Sequence, residues 1–224
     1  VVNRVEITKA FVDNTIRRGT TSTVIIRIEN NRRNSTTGAA EPLTGVEIAD
    51  DLPANLQVTN PANFSHTGCS YSSTPVFTDN TPGALPFEAG VTSFKMTNAS
   101  LAPIDDGNAS ADTCEIRFDV EEIDRDFNTP GNQTPRTYNN ATSEFTNNEN
   151  EGVGTVATAD LTVISPLDGD KFFQSAQIVA GGRSAAVIQL DNSLPDPLTV
   201  VSFTDSWTQA NTVVADPPNT STTC

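Results

Sequence analysis

The residues that could do chemistry in this chain are few. The single histidine, His66, stands in a loop just before Cys69, and an imidazole beside a thiol would suggest a nucleophile and its base. Cys69, however, is better used in a disulfide, as the repeat described below shows. The acid pairs Asp50–Asp51 and Glu121–Glu122 read as solvated charges at strand edges or in loops rather than as a general acid and base. No serine elbow, paired-histidine metal motif or phosphate-binding glycine loop occurs. Three cysteines and one histidine also fit no familiar zinc spacing. No catalytic residue is assigned, and the sequence points away from an enzyme.

Hard-cation chemistry is the sharper candidate. In "EEIDRDFNTPGNQ" (121–133), Asp124, Asp126 and Asn128 alternate, a spacing by which a curled loop gathers oxygens around Ca²⁺. Thr129 stands where an EF-hand needs glycine, and no glutamate closes the set. An EF-hand is therefore excluded, which leaves either an adhesin-style calcium loop or an acidic, solvated one. The second reading carries more weight in a chain with 28 Asp and Glu. Asp105, Asp106 and Asn108 form a weaker set of the same kind. Ca²⁺ is the one cofactor that the residues suggest.

Composition narrows the rest. The 224 residues carry a net charge of −15, 36% hydrophobic and 6% aromatic residues. So acidic a chain repels phosphates, which argues against nucleic acid or anionic membrane as a partner. No apolar run approaches the roughly 18 residues of a spanning helix. Few aromatics and abundant Thr, Ser and Asn suit sheets with one face in water.

The elements that must position these residues come from a repeat, which is best sought early. "ITKAFVDNTIRRGTTSTVIIRIEN" (7–30) overlies "GDKFFQSAQIVAGGRSAAVIQLDN" (169–192) at a constant offset of 162 (178 − 16). Lys9, Phe11, Ile16, Gly19, Ser22, Ile26 and Asn30 meet Lys171, Phe173, Ile178, Gly181, Ser184, Ile188 and Asn192. "PLTGVEIADDL" (42–52) then overlies "PLTVVSFTDSW" (197–207) at an offset of 155 (197 − 42), and Cys69 falls on Cys224. The expected organisation is one complete unit over 1–164 and the first part of a second over 165–224, with "ISPLDG" (164–169) as the joint. Within the complete unit Cys69 pairs with Cys114, and Cys224 is left without a partner in this chain. A bridge closing roughly 46 residues stabilises by about 4 kcal/mol in the chain-entropy account, and it places the protein outside the cytosol.

Several stretches alternate with period two, the mark of a strand with one buried face. Val24, Ile26 and Ile28 share one face of "STVIIRIEN"; Cys114, Ile116, Phe118 and Val120 share one face of "TCEIRFDVEE". Val46 and Ile48 point inward, matched by Val201 and Phe203, while Ala186, Ile188 and Leu190 form the second copy's apolar face. "ATADLTVI" (157–164) is a closing strand. With glycine turns at "RRGTTS" and "AGGRS" and no long helical period, the fold class is an all-β, Ig-like antiparallel β-sandwich.

Four further features complete the reading. "NNRRNSTTG" (30–38) is the one basic spot, either a mobile surface loop or a contact to an acidic face of a neighbouring unit. Trp207 is a core residue or an interface anchor. Asn-x-Ser/Thr triplets occur at Asn34, Asn63, Asn98, Asn108, Asn132, Asn140 and Asn219, where glycans could attach. No exposed aromatic cluster of the kind that stacks sugars is visible.

Phe11, Gly19, Ser22, "LTGVEIADDLPANLQVTNPANFSHTGC", "CEIRFDV" and "TYNNAT" (137–142) together resemble a family of prokaryotic extracellular Ig-like tandem repeats found in surface proteins and adhesins. The resemblance covers the chain as one full and one partial copy; Trp207 departs from it by standing at the Leu52 position. It implies a secreted or cell-surface structural module of a fibre, filament or stalk. The expected partners are neighbouring repeats or other copies, joined head to tail, with strand complementation where a sheet is incomplete. The alternative is an adhesin-type module that recognises a glycan or protein through its loops.

Overall fold

In this computed structural model the residues described are 4–60, 62–81, 83, 85–104, 112–123, 135–143, 145–164 and 167–192, with 197, 201, 203–206, 213–216 and 218–223. The chain divides into two units, Val1–Pro166 and Leu167–Cys224. Strands of the first are β1 (Val5–Phe11), β2 (Thr15–Arg17), β3 (Thr21–Asn30), β4 (Leu43–Asp51), β5 (Leu56–Val58), β6 (Ser65–Thr67), β7 (Val76–Thr78), β8 (Ser93–Leu101), β9 (Thr113–Glu122), β10 (Arg136–Ala141) and β11 (Thr158–Ile164). The second contains β12 (Leu167–Phe173) and β13 (Ala186–Asn192).

Alternation builds the first layer. β3 lies between β1 and β9, antiparallel to both, and β5 and β6 share the far edge of β9. Val24, Ile26 and Ile28 of β3 and Cys114, Ile116, Phe118 and Val120 of β9 are all shut from solvent. The second layer joins β7–β8–β4 to β10–β11–β2 through bridges at Glu47–Thr146 and Asp50–Thr142. Its inward residues, among them Val46, Ile48, Phe94, Met96, Leu161 and Val163, close the same hydrophobic core from the other side. This is an Ig-like β-sandwich, all-β among the described residues. The opening strand serves both layers: β1 pairs with β3, and after a bend at Asp13–Asn14, β2 runs parallel to β11.

β4 and β8 slip register twice. Val46 faces Ala99 and Ile48 faces Met96, so β8 holds one residue more between those pairs, and Asn98 takes φ 56° there. An extra residue in the left-handed region is how a bulge turns a strand's faces over. Across the ladder Gly45 takes φ 57°, and a Cβ added to it would meet the Asn148 side chain at 2.4 Å. Only glycine fits there.

The described strands of the second unit form a hairpin whose bonding copies that of the first. Ser22 Oγ accepts from the Asp13 amide at 3.2 Å and donates to its carbonyl at 2.8 Å; Ser184 does the same for Ser175, at 2.9 and 3.1 Å. Amide-to-carbonyl bonds Val12–Thr23 and Thr20–Arg17 have counterparts in Gln174–Ala185 and Gly182–Val179. Here the sequence expectation needs correcting. Ile188 of β13 and Phe203 were expected to point inward, yet both are exposed, because no second layer covers them among the described residues.

Candidate functional site

Cys69 and Cys114 form a disulfide, both fully buried, with Cα atoms 4.5 Å apart. It ties the segment following β6 to β9 inside the core. Cys224 and the calcium candidates Asp124, Asp126 and Asn128 lie outside the described residues, as do Asp105, Asp106, Asn108 and Trp207. Among the described residues no three His, Cys, Asp or Glu side chains gather as a metal site requires. His66 is not in a loop: it belongs to β6, pairs with Ile116, and lies 4.6 Å from the Phe77 ring, centroid to centroid. The basic stretch is an ordered turn in which the Asn34 side chain accepts from the amides of Thr36 and Thr37. Arg32 within it meets Glu41 at 2.9 Å and Glu151 at 3.8 Å, both in its own unit.

The acid pairs require the larger correction. Asp50 and Glu122 are not solvated: each occupies the inward phase of its strand and is buried, while Asp51 stays exposed. Glu122 accepts hydrogen bonds from Arg18 and from the Tyr138 hydroxyl, and Arg136 approaches it at 3.7 Å. Burial, and then the bond to Glu122, push the Tyr138 hydroxyl above its ordinary pKa of 10.0. This network joins the β2–β3 turn, β9 and β10, and clamps one end of the sandwich.

Asp50 anchors a second buried cluster. Lys9 follows Val5 and Ile7 on the inward phase of β1, and Asp50 follows Val46 and Ile48 on β4. Lys9 Nζ donates to Asp50 Oδ2 at 2.6 Å, with both side chains wholly shut from solvent. Asn140 of β10, also wholly buried, donates through Nδ2 to the same oxygen at 3.4 Å. Amine, carboxyl and carboxamide from three strands thus meet between the layers. Burial pushes the Lys9 amine below its ordinary 10.5, against the pull of Asp50. It pushes the Asp50 carboxyl above its ordinary 3.8, against the pull of Lys9 and Asn140. Both shifts favour the uncharged forms, as expected where desolvation exceeds Coulomb attraction. Asp50 Oδ1 and Asn140 Oδ1 have no hydrogen-bond partner among the described residues. Asn140 is therefore closed to a glycan, although its triplet permits one.

Sequence reasoning passed over this cluster, yet a signal was present. A lysine and an aspartate occupy inward phases of otherwise apolar strand faces, and the second copy carries Lys171 and Asp205 at the matching positions. Those two meet as well, at 2.7 and 2.8 Å, with side chains 36% and 26% exposed.

Residues 6–163 match the model of a family described as a domain of unknown function (DUF7933). The chain belongs to that family. Membership brings no activity with it, and no curated protein matches the chain. Solved structures similar to this member include a non-cellulosomal cohesin from the archaeon Archaeoglobus fulgidus, with TM-score 0.41 and 12% identity, covering 71% of this chain and 92% of that one. The major pilin SpaD of Corynebacterium diphtheriae has TM-score 0.35 and 15% identity, over 75% of this chain and 36% of the pilin. The collagen adhesin of S. aureus has TM-score 0.35 and 10% identity, over 83% and 51%. The family member thus spans about a third of the pilin and half of the adhesin, and likenesses this distant do not bear on what it does.

Proposed function

We propose that the chain is a structural module of an extracellular fibre, filament or cell-surface stalk built from tandem Ig-like units, as in the extracellular repeat family its motifs resemble. The observation that carries this reading is the open face of the second unit. Phe173, Ile178, Ile188 and Phe203 are 44%, 54%, 37% and 60% exposed. Their counterparts Phe11, Ile16, Ile26 and Ile48 are core residues of the first unit. Exposed apolar side chains on a β-hairpin and in the segments around it offer an interaction surface. Its natural cover is a second layer with the pattern of β4, β8, β10 and β11, contributed by a neighbouring repeat or another copy. The buried disulfide supports an oxidising, extracellular setting.

Sedimentation of residues 1–224 over a concentration series tests the reading. The expected result is self-association that is lost when Ile188 and Phe203 are both replaced by aspartate, while a chain of residues 1–164 stays monomeric. A 1–224 chain that remains monomeric at high concentration and shows no binding of an apolar dye overturns it. Electron micrographs of the native material should show filaments or stalks rather than dispersed particles.

A further inference from the structure

The cluster of Lys9, Asp50 and Asn140 is poorly explained as a resting ion pair. An ammonium and a carboxylate are both closed from water, an arrangement whose desolvation cost outweighs its attraction unless every lone pair is satisfied. Two are not: Asp50 Oδ1 and Asn140 Oδ1 are both bare, and as charged carboxylate and amide carbonyl both are acceptors. Moving one proton from Lys9 to Asp50 changes the balance. It removes two buried charges, gives the carboxyl an O–H donor, and leaves the amine with a free lone pair. That lone pair belongs to a nitrogen that shares the Asp50 Oδ2 atom with the Asn140 carboxamide.

We propose that Lys9 Nζ and Asn140 Cγ join in an intramolecular amide cross-link, with Asp50 as the proton carrier. The amine lone pair attacks Cγ, and the carbonyl electrons move onto Oδ1, where the Asp50 hydroxyl steadies the developing charge. Asp50 takes a proton from the attacking nitrogen and delivers one to Nδ2. The carbonyl re-forms, the Cγ–Nδ2 bond breaks, and ammonia leaves. One C–N bond replaces another, nothing is oxidised or reduced, and no co-reactant enters. An amine and an amide gathered at one carboxyl oxygen in a dry core also gain the proximity advantage that makes such exchanges feasible without an external activator. The released ammonia is lost to bulk water, which gives the exchange a direction.

The second unit supports the assignment. Lys171 and Asp205 repeat the amine–carboxyl pair at matching positions, so the pair is a feature of the module rather than an accident of one core. Solvent reaches both, so the dry surroundings that the exchange needs are missing there. The cross-link would run from β1 in one layer to β10 in the other and enclose the Cys69–Cys114 loop. Tension between Arg4 and Ile164 would then bypass residues 10–139. The bond stands whether or not the module bears load in a fibre.

Mass spectrometry of the purified full chain, with its disulfide reduced, tests this directly. The parent should be lighter than its sequence by one molecule of ammonia, with complete conversion, and trypsin should release a branched fragment joining residues 5–17 to 137–171. Asp50→Asn and Asn140→Ala, checked for native fold by circular dichroism, should keep the full sequence mass. If neither variant folds, parent chain made under denaturing conditions and then refolded should lose ammonia with time. A folded parent at full sequence mass overturns the proposal. So does an ammonia loss mapped to any other residue, or a loss of water mapped to Lys9 and Asp50.

Discussion

Lys9–Asp50 and Lys171–Asp205 are the same pair in two settings. Their closest contacts are nearly equal, 2.6 and 2.7 Å, and both join the opening strand of a unit to the segment matching β4. In the first unit two layers close over the pair, burial works against both charges, and a carboxamide faces them. In the second unit water reaches both partners. Contact geometry is therefore not what decides the chemistry of this pair. The covering sheet is: it raises the cost of charge and thereby sets the protonation of both groups. The hydrophobic residues teach the same lesson, since Ile26 and Ile188 occupy matching positions and only one is in a core.

The contrast can be broken most forcefully at the carboxylates. Asp50→Ala leaves Lys9 buried without its partner and should cost about 3–5 kcal/mol in urea unfolding, whereas Asp205→Ala should cost less than about 1 kcal/mol. Equal effects would mean that burial does not separate the pairs. Reducing Cys69–Cys114 should destabilise the first unit by about 4 kcal/mol while leaving hydrogen exchange in the β12–β13 hairpin unchanged. An unaltered melt on reduction would count against the bridge as a core staple. Ile26→Ala should cost about 2–5 kcal/mol through lost contacts and a cavity, and Ile188→Ala only within about 0.5 kcal/mol either way, as for a surface site.

The smallest effect is in pH. The native Asp50 carboxyl titrates above its ordinary 3.8, so between those values the folded chain holds a proton that the unfolded chain lacks. Its contribution to stability therefore rises as pH falls through the native value towards 3.8, and is lost as pH rises. The parent's advantage over Asp50→Asn should grow on acidification across that window.

Much of the fold was legible as alternation. The period-two faces of β3 and β9 are the buried faces, and the 162-residue offset reappears as matched hydrogen bonds at Ser22 and Ser184. β8 was not legible. Phe94 and Met96 are buried in one phase and Ala99 and Leu101 in the other, because the bulge at Asn98 reverses the faces midway. A strand that changes phase has no period to detect. β6 and β7, at three residues each, are too short to show one. The candidate site was half visible, as polar residues on apolar faces. Adjacent acids such as Asp50 and Asp51 look alike in a sequence, and only strand phase tells the buried one from the exposed one.

The order of residues determined the period-two faces of β3 and β9, and that Lys9 and Asp50 each have a counterpart further along the chain. Alternation of this kind is a consequence of local geometry, since it depends on a few neighbouring residues. Tertiary structure alone decided that Lys9, Asp50 and Asn140, separated by 41 and 90 positions, meet around one oxygen without water. Strand pairing and layer closure decide which distant residues share a space and how much solvent remains there. No local pattern carries that information.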